Sequence, residues 1–161
     1  MSTVTETAEA EDAAGLRAEG DWKAGVVAGI VGAVAMAALV LVMNPQTLTV
    51  AIPSLYGLAP PESAAAGLVV HVSHGAVLGV AFAALVEAVG SESSTRTVSL
   101  GFAWGVAAWV VLAVLLMPLW LSAVGSPADP PFPNVALPSL LWHVVYGVVL
   151  GRVYDVLEGE L

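Results

Sequence analysis

Ala64 to Val86 reads AAAGLVVHVSHGAVLGVAFAALV, an apolar run interrupted only by His71, Ser73 and His74 and ended by Glu87. A bilayer crossing needs roughly 20 apolar residues at about 1.5 Å rise each, so this run is long enough to span. Three further stretches have the same character. Ala24 to Met43 is uncharged, with Lys23 just before it and Asn44-Pro45 closing it. Thr97 to Ser122 is also uncharged, with Pro118 placed to kink or end it near its last turn. The fourth begins at Pro138, which suits the first turn of a helix, and runs to Leu157. It carries Arg152 and Asp155 in its last turns, where side chains snorkel. Any single run would also suit a buried core helix, but four of them in so small a chain do not. The expected fold is all-α, a four-helix transmembrane bundle with spans at about 24–43, 64–86, 97–122 and 138–157.

Composition agrees with that reading. Of the 161 residues, 58% are hydrophobic and only 11% charged, whereas soluble domains carry about a quarter charged residues. The absence of cysteine excludes disulfides, Cys-bound zinc, iron–sulfur clusters and thiol nucleophiles. Six of the acids (Glu6, Glu9, Glu11, Asp12, Glu19, Asp21) precede Trp22 in a stretch with few large apolar residues. Residues 1–21 are therefore expected to form a disordered cytoplasmic tail ahead of a membrane domain over 22–161. With a net charge of −9 and four Lys and Arg in all, the chain lacks the clustered cations that phosphates require, so nucleic acid is not an expected partner. The expected partners are the lipid bilayer and other membrane subunits or a second copy of the chain.

The region before the first span is acidic rather than basic, and that span exceeds a signal-peptide core in length, so it is read as retained. Arg17 and Lys23 precede span one, Arg96 joins spans two and three, and Arg152 ends span four. The loops at roughly 44–63 and 123–137 hold no Lys or Arg. The distribution of positive charge then places both termini in the cytoplasm, in a cell-membrane protein. Trp22 and Tyr154 are expected at the inner interface, with Trp120 and Trp142 at the outer one. The apolar stretch Leu48 to Leu58 suits either the bilayer surface or a fold over the bundle.

The second half echoes the first. His71 to Phe82 aligns without gaps to His143 to Tyr154, keeping His, Val, Gly, Val, Leu and Gly, with Tyr146 in place of His74. Spans one and three match through Gly25 and Gly29 against Gly101 and Gly105. Two spans per half give both halves the same orientation, so the expected bundle consists of two parallel two-helix repeats about an axis along the membrane normal. His71, Gly75, Gly79 and Phe82 share one helix face, as do His143, Gly147, Gly151 and Tyr154. Such glycine faces pack helices closely in lipid.

The three histidines lie well inside apolar spans, where ionisable groups are costly and are functional candidates by default. His71 and His143, with His74 a turn deeper, form a candidate cofactor site, and Met43 and Met117 lie near the same level. Two imidazoles on related helices suit axial ligation of haem b if the glycine faces line a gap. If those faces of spans two and four pack on each other, a single ion fits instead, and nitrogen with thioether sulfur suits copper. The alternative is that neutral histidines only hydrogen-bond between helices. Enzyme signatures are missing: no Gly-rich phosphate loop, no Gly-x-Ser-x-Gly and no His-Glu-x-x-His. Glu87, Arg152 and Asp155 lie at the opposite end from the histidines and suit ion pairing or helix capping.

As a whole the chain resembles the small four-span membrane proteins of unknown function found in haloarchaea, in which a His…Gly…Gly helix recurs. Its acidic excess, single Lys and abundant Ala, Val and Thr resemble the composition of proteins from salt-loving archaea. The resemblance covers the spans and implies membrane location without a defined activity. Two functional classes follow. One is a binding or electron-transfer subunit with haem b or copper at the histidines. The other is a non-catalytic structural or assembly subunit, or a small transporter, whose histidines only hydrogen-bond.

Overall fold

The structure is a computed structural model that describes residues 21–91 and 93–161. The tail expected to be disordered lies, apart from Asp21, outside the described residues. Four helices are long and apolar enough to cross a membrane: α1 (Asp21–Met43), α2 (Ala64–Val89), α3 (Ser94–Ala123) and α4 (Leu137–Leu157). No strand occurs among the described residues. The chain is a multi-pass helical membrane protein. Successive helices alternate in direction, so loops 44–63 and 124–136 share one end of the bundle, hereafter the loop end.

The helix termini follow from local chemistry. The Ser63 hydroxyl accepts the Ala66 N–H at 3.2 Å to start α2, and Gly90, left-handed at φ 58°, closes it. Arg96 then donates to the carbonyls of Val89 and Gly90 at 3.0 and 3.1 Å, covering acceptors that a helix end leaves bare. Arg152 pairs with Asp155 on α4, the ion-pair role expected at that end.

Pro118 neither ends nor sharply breaks α3. The helix runs as α over Ser94–Ala108, widens to π over Trp109–Leu116, and returns to α over Met117–Ala123. Proline has no N–H to offer the Val114 carbonyl four residues earlier. Asn134, from the following loop, supplies the missing donor at 3.0 Å. The other loop repeats the arrangement: a π turn at Thr47–Ala51 leads into Ile52–Ser54. There Pro53 deprives the Thr49 carbonyl, and the Ser63 N–H takes it at 2.9 Å.

Of the two placements open to Leu48–Leu58, the structure takes the second. Leu48 has no exposed surface, and Ile52, Pro53 and Ser54 are buried, so this segment folds into the bundle. It rests on Gly67 of α2, where any Cβ would strike the Leu48 carbonyl oxygen.

The helices pack in the order α2, α1, α4, α3, and α2 makes little contact with α3. Glycine decides two of these seams. A Cβ at Gly25 would lie 2.6 Å from the Gly79 carbonyl oxygen, and one at Gly29 would strike that of Gly75. In the other half, Gly101 meets the Gly147 carbonyl and Gly105 meets that of His143. The glycine faces of α2 and α4 thus neither pack on each other nor line a gap, because each is filled by the preceding helix. The third seam joins α1 to α4. Ala24, Ala28 and Gly32 share a face of α1, and the Tyr146 ring lies against Gly32. Behind these seams Val40, Phe82, Leu150 and Tyr154 form the fully buried core.

Two of the four aromatic residues assigned to interfaces sit elsewhere. Trp22 and Trp120 are about half exposed, at 49% and 51%. Trp142 and Tyr154 are instead buried in the bundle. Trp142 has the Met43 sulfur as an acceptor, and Tyr154 meets Phe82 edge-on at 5.6 Å, so both find internal partners that an interfacial ring would lack.

Candidate functional site

Each histidine has its own hydrogen-bond partner. His71 Nε2 donates to the Ala33 carbonyl of α1 at 3.1 Å, one turn beyond the Gly29–Gly75 contact. That contact brings the two backbones so close that the imidazole reaches a carbonyl of the neighbouring helix. His143 Nδ1 donates to the Ser139 carbonyl of its own helix at 2.7 Å. His74 Nε2 meets the Tyr56 hydroxyl at 2.7 Å, with the rings 5.7 Å apart. His74 therefore ties the buried loop segment to α2.

Tyr146, aligned with His74, turns inward and donates its hydroxyl to the Gly75 carbonyl at 3.1 Å, bridging α4 to α2. The candidate histidines therefore converge at the loop end, and the two helices that carry His71 and His143 are linked by Tyr146. The proposed sulfur ligands are otherwise engaged. Met43 accepts the Trp142 indole N–H at 3.1 Å, and Met117 packs against the apolar core. Among the described residues, no three His, Cys, Asp or Glu side chains are grouped to hold a metal ion.

Gly75, Gly79, Gly147 and Gly151, and Gly25, Gly29, Gly101 and Gly105, lie at the two helix seams. Sequence reasoning missed the Ala33 and Gly75 carbonyls, Tyr56 and the Trp142–Met43 contact. Backbone carbonyls have no sequence signature. Tyr56 lies in an aperiodic loop and is brought to His74 only by the fold of Leu48–Ser54.

Beyond the histidines, Trp120 of α3 donates to the Leu55 carbonyl of the first loop at 3.0 Å, and within that loop Thr49 donates to Glu62 at 3.4 Å. Between the loops lies an open cavity of about 280 Å³ lined by Gln46, Val50, Glu62 and Pro127 among others. At the opposite end, burial and then the carboxylates of Asp155 and Asp21 push the Glu158 carboxyl above its usual range. No carboxylate is hydrogen-bonded to a histidine among the described residues.

Four apolar spans, two glycine-lined seams and singly partnered histidines define a small polytopic helical protein. The chain belongs to the family of unknown function DUF6789, whose model matches residues 20–161. No curated protein and no solved structure matches it.

Proposed function

We propose that the protein is a non-catalytic structural or assembly subunit of the cell membrane, with both termini cytoplasmic, built from two parallel repeats. One observation carries the functional part: each histidine is occupied by a different partner, on the neighbouring helix, on its own helix and on a loop. The matched Gly25–Gly79 and Gly101–Gly147 contacts support a duplicated origin. So does the proline-freed carbonyl in each half that accepts an amide from the following loop.

The test is a visible absorption spectrum and metal analysis of the purified protein. A colourless preparation with no bound metal and full thermal stability is the expected result. A haem band or stoichiometric copper would overturn this reading. The second reading, haem b or copper held by His71 and His143 with His74, Met43 or Met117, draws on the Tyr146–Gly75 hydrogen bond, which links the two helices that carry His143 and His71. It requires that His71→Ala and His143→Ala each abolish the same signal, while His74→Tyr retains it. Orientation is tested in this cysteine-free chain by single cysteines. Ser126→Cys should react with an impermeant reagent from outside and Ser94→Cys should not; the reverse pattern would invert the topology.

A further inference from the structure

The cavity at the loop end lies outside the spans, between two anchored loops. The first loop is held by the Ser63 N–H on the Thr49 carbonyl at 2.9 Å and by Trp120 on the Leu55 carbonyl at 3.0 Å. The second is held by the Asn134 N–H on the Val114 carbonyl at 3.0 Å, and its Ser126 hydroxyl accepts the Ala128 N–H at 3.0 Å. Walls fixed in this way need little ordering when a ligand enters. The volume, about 280 Å³, falls just below the roughly 300–1,000 Å³ of drug-sized sites, so it suits a ligand of few heavy atoms.

The lining presents two kinds of surface. Val50, Ala59, Pro60 and Pro127 are apolar, whereas Gln46 and Glu62 bring an amide and a carboxylate. The Thr49 hydroxyl donates to one oxygen of that carboxylate at 3.4 Å, and no cation pairs with it among the described residues. The reason is in the sequence: loops 44–63 and 124–136 hold two acids, Glu62 and Asp129, and no Lys or Arg.

These surfaces select a ligand class. An anion would meet the Glu62 carboxylate with nothing to balance it. A neutral apolar molecule would strip water from that carboxylate and offer no replacement. Calcium takes about 6–8 oxygen ligands, whereas the lining supplies one carboxylate, and no three His, Cys, Asp or Glu are grouped for a metal among the described residues. An alkylammonium ion satisfies both surfaces. Its N–H groups make a charge-assisted bond to Glu62, the Gln46 amide oxygen is a second acceptor, and its alkyl body covers the apolar walls. The ethanolamine headgroup of a phospholipid carries its ammonium beside a phosphate, which Glu62 and Asp129 repel.

We propose that the loop-end cavity binds a small water-soluble alkylammonium ion, with Glu62 as its charge partner and Val50, Pro60 and Pro127 against its alkyl body. The site is separate from the histidines, so the structural role proposed for them neither requires it nor falls with it.

The purified full chain in non-ionic detergent is titrated with butylammonium by calorimetry at low salt, where charge pairing is least screened. Saturable binding near one per chain is expected. Glu62→Gln, which keeps an acceptor for Thr49, should weaken it at least tenfold. Asp129→Asn removes the same charge from the facing loop, outside the lining, and should weaken it less than threefold. Methylammonium should bind at least fivefold more weakly, because it leaves the walls uncovered, and 1-butanol should show no saturable binding. Neither millimolar calcium at matched ionic strength nor phosphatidylethanolamine in mixed micelles should displace butylammonium. Absence of saturable binding, or equal affinity in Glu62→Gln, would overturn the proposal. So would a loss in Asp129→Asn as large as that in Glu62→Gln, equal affinity for methylammonium or 1-butanol, or displacement by calcium or by the lipid.

Discussion

The α1–α2 and α3–α4 seams are made from the same material and lead to different surroundings. In each, two glycines on one helix admit backbone carbonyls of the next. Beyond the glycines they part: alanine on α1 lets a third helix close, whereas tryptophan on α3 keeps α2 away. Residue size one position from a shared glycine contact thus differs between the seam that closes, at Ala28, and the sparse one, at Trp104. Close helix pairing and global arrangement are separate decisions, taken by neighbouring residues.

The strongest way to break this comparison is to fill both seams. Gly79→Val and Gly147→Val each direct new bulk at a backbone carbonyl, of Gly25 and of Gly101, which cannot rotate aside. Each should cost about 3 kcal/mol, the upper end of the overpacking range. Unfolding in detergent monitored by circular dichroism measures the loss. Equal losses would make the seams energetic equivalents, and tolerance of one substitution would end the comparison. Next comes the loop segment. Gly67→Ala should cost about 2 kcal/mol, because Leu48 must move, but loop backbone yields more readily than a helix. A cysteine at Thr49 should then become more reactive, while one at Ser126 should not.

That helices approach closely was legible in the sequence, because Gly25, Gly29, Gly75 and Gly79 recur at the four-residue spacing that close packing in lipid demands. That four runs are apolar and long enough to span was legible from hydropathy. The direction in which the glycine faces look was not. A glycine pair signals close approach without naming its partner, and the choice between packing on each other and lining a gap omitted the preceding helix. Tyr154 and Trp142 misled for a related reason: an amphipathic ring near a helix end suits an interface, yet an internal partner within reach draws it inward. The histidines were legible as a group at one end of the bundle. Their individual partners, the Ala33 carbonyl and Tyr56, depend on a turn register and a loop path that carry no periodic signal.

The inter-half link offers a finer test. Tyr146→Phe removes only the hydroxyl that reaches Gly75 and should cost about 1 kcal/mol, the typical worth of a buried hydrogen bond. Thermal unfolding in detergent measures it. A larger loss would mean that α4 depends on α2 more than their limited packing implies.

The smallest expected effect separates the two aligned histidines. His71 bonds across a seam to Ala33, whereas His143 bonds within its own helix to Ser139. Replacement by phenylalanine keeps a ring in place and removes the donor. His71→Phe should cost about 0.6 kcal/mol, the average for interhelical hydrogen bonds in membranes. His143→Phe should change the unfolding midpoint little, because the Ser139 carbonyl keeps its backbone donor four residues on, and an intrahelical bond does not hold two helices together. The pair is best compared in one detergent by denaturant titration. A His143→Phe loss equal to that of His71→Phe would show that the alignment, and not the observed bonding, governs the two sites, and the contrast between the halves would then lie in the Ala28 and Trp104 positions alone.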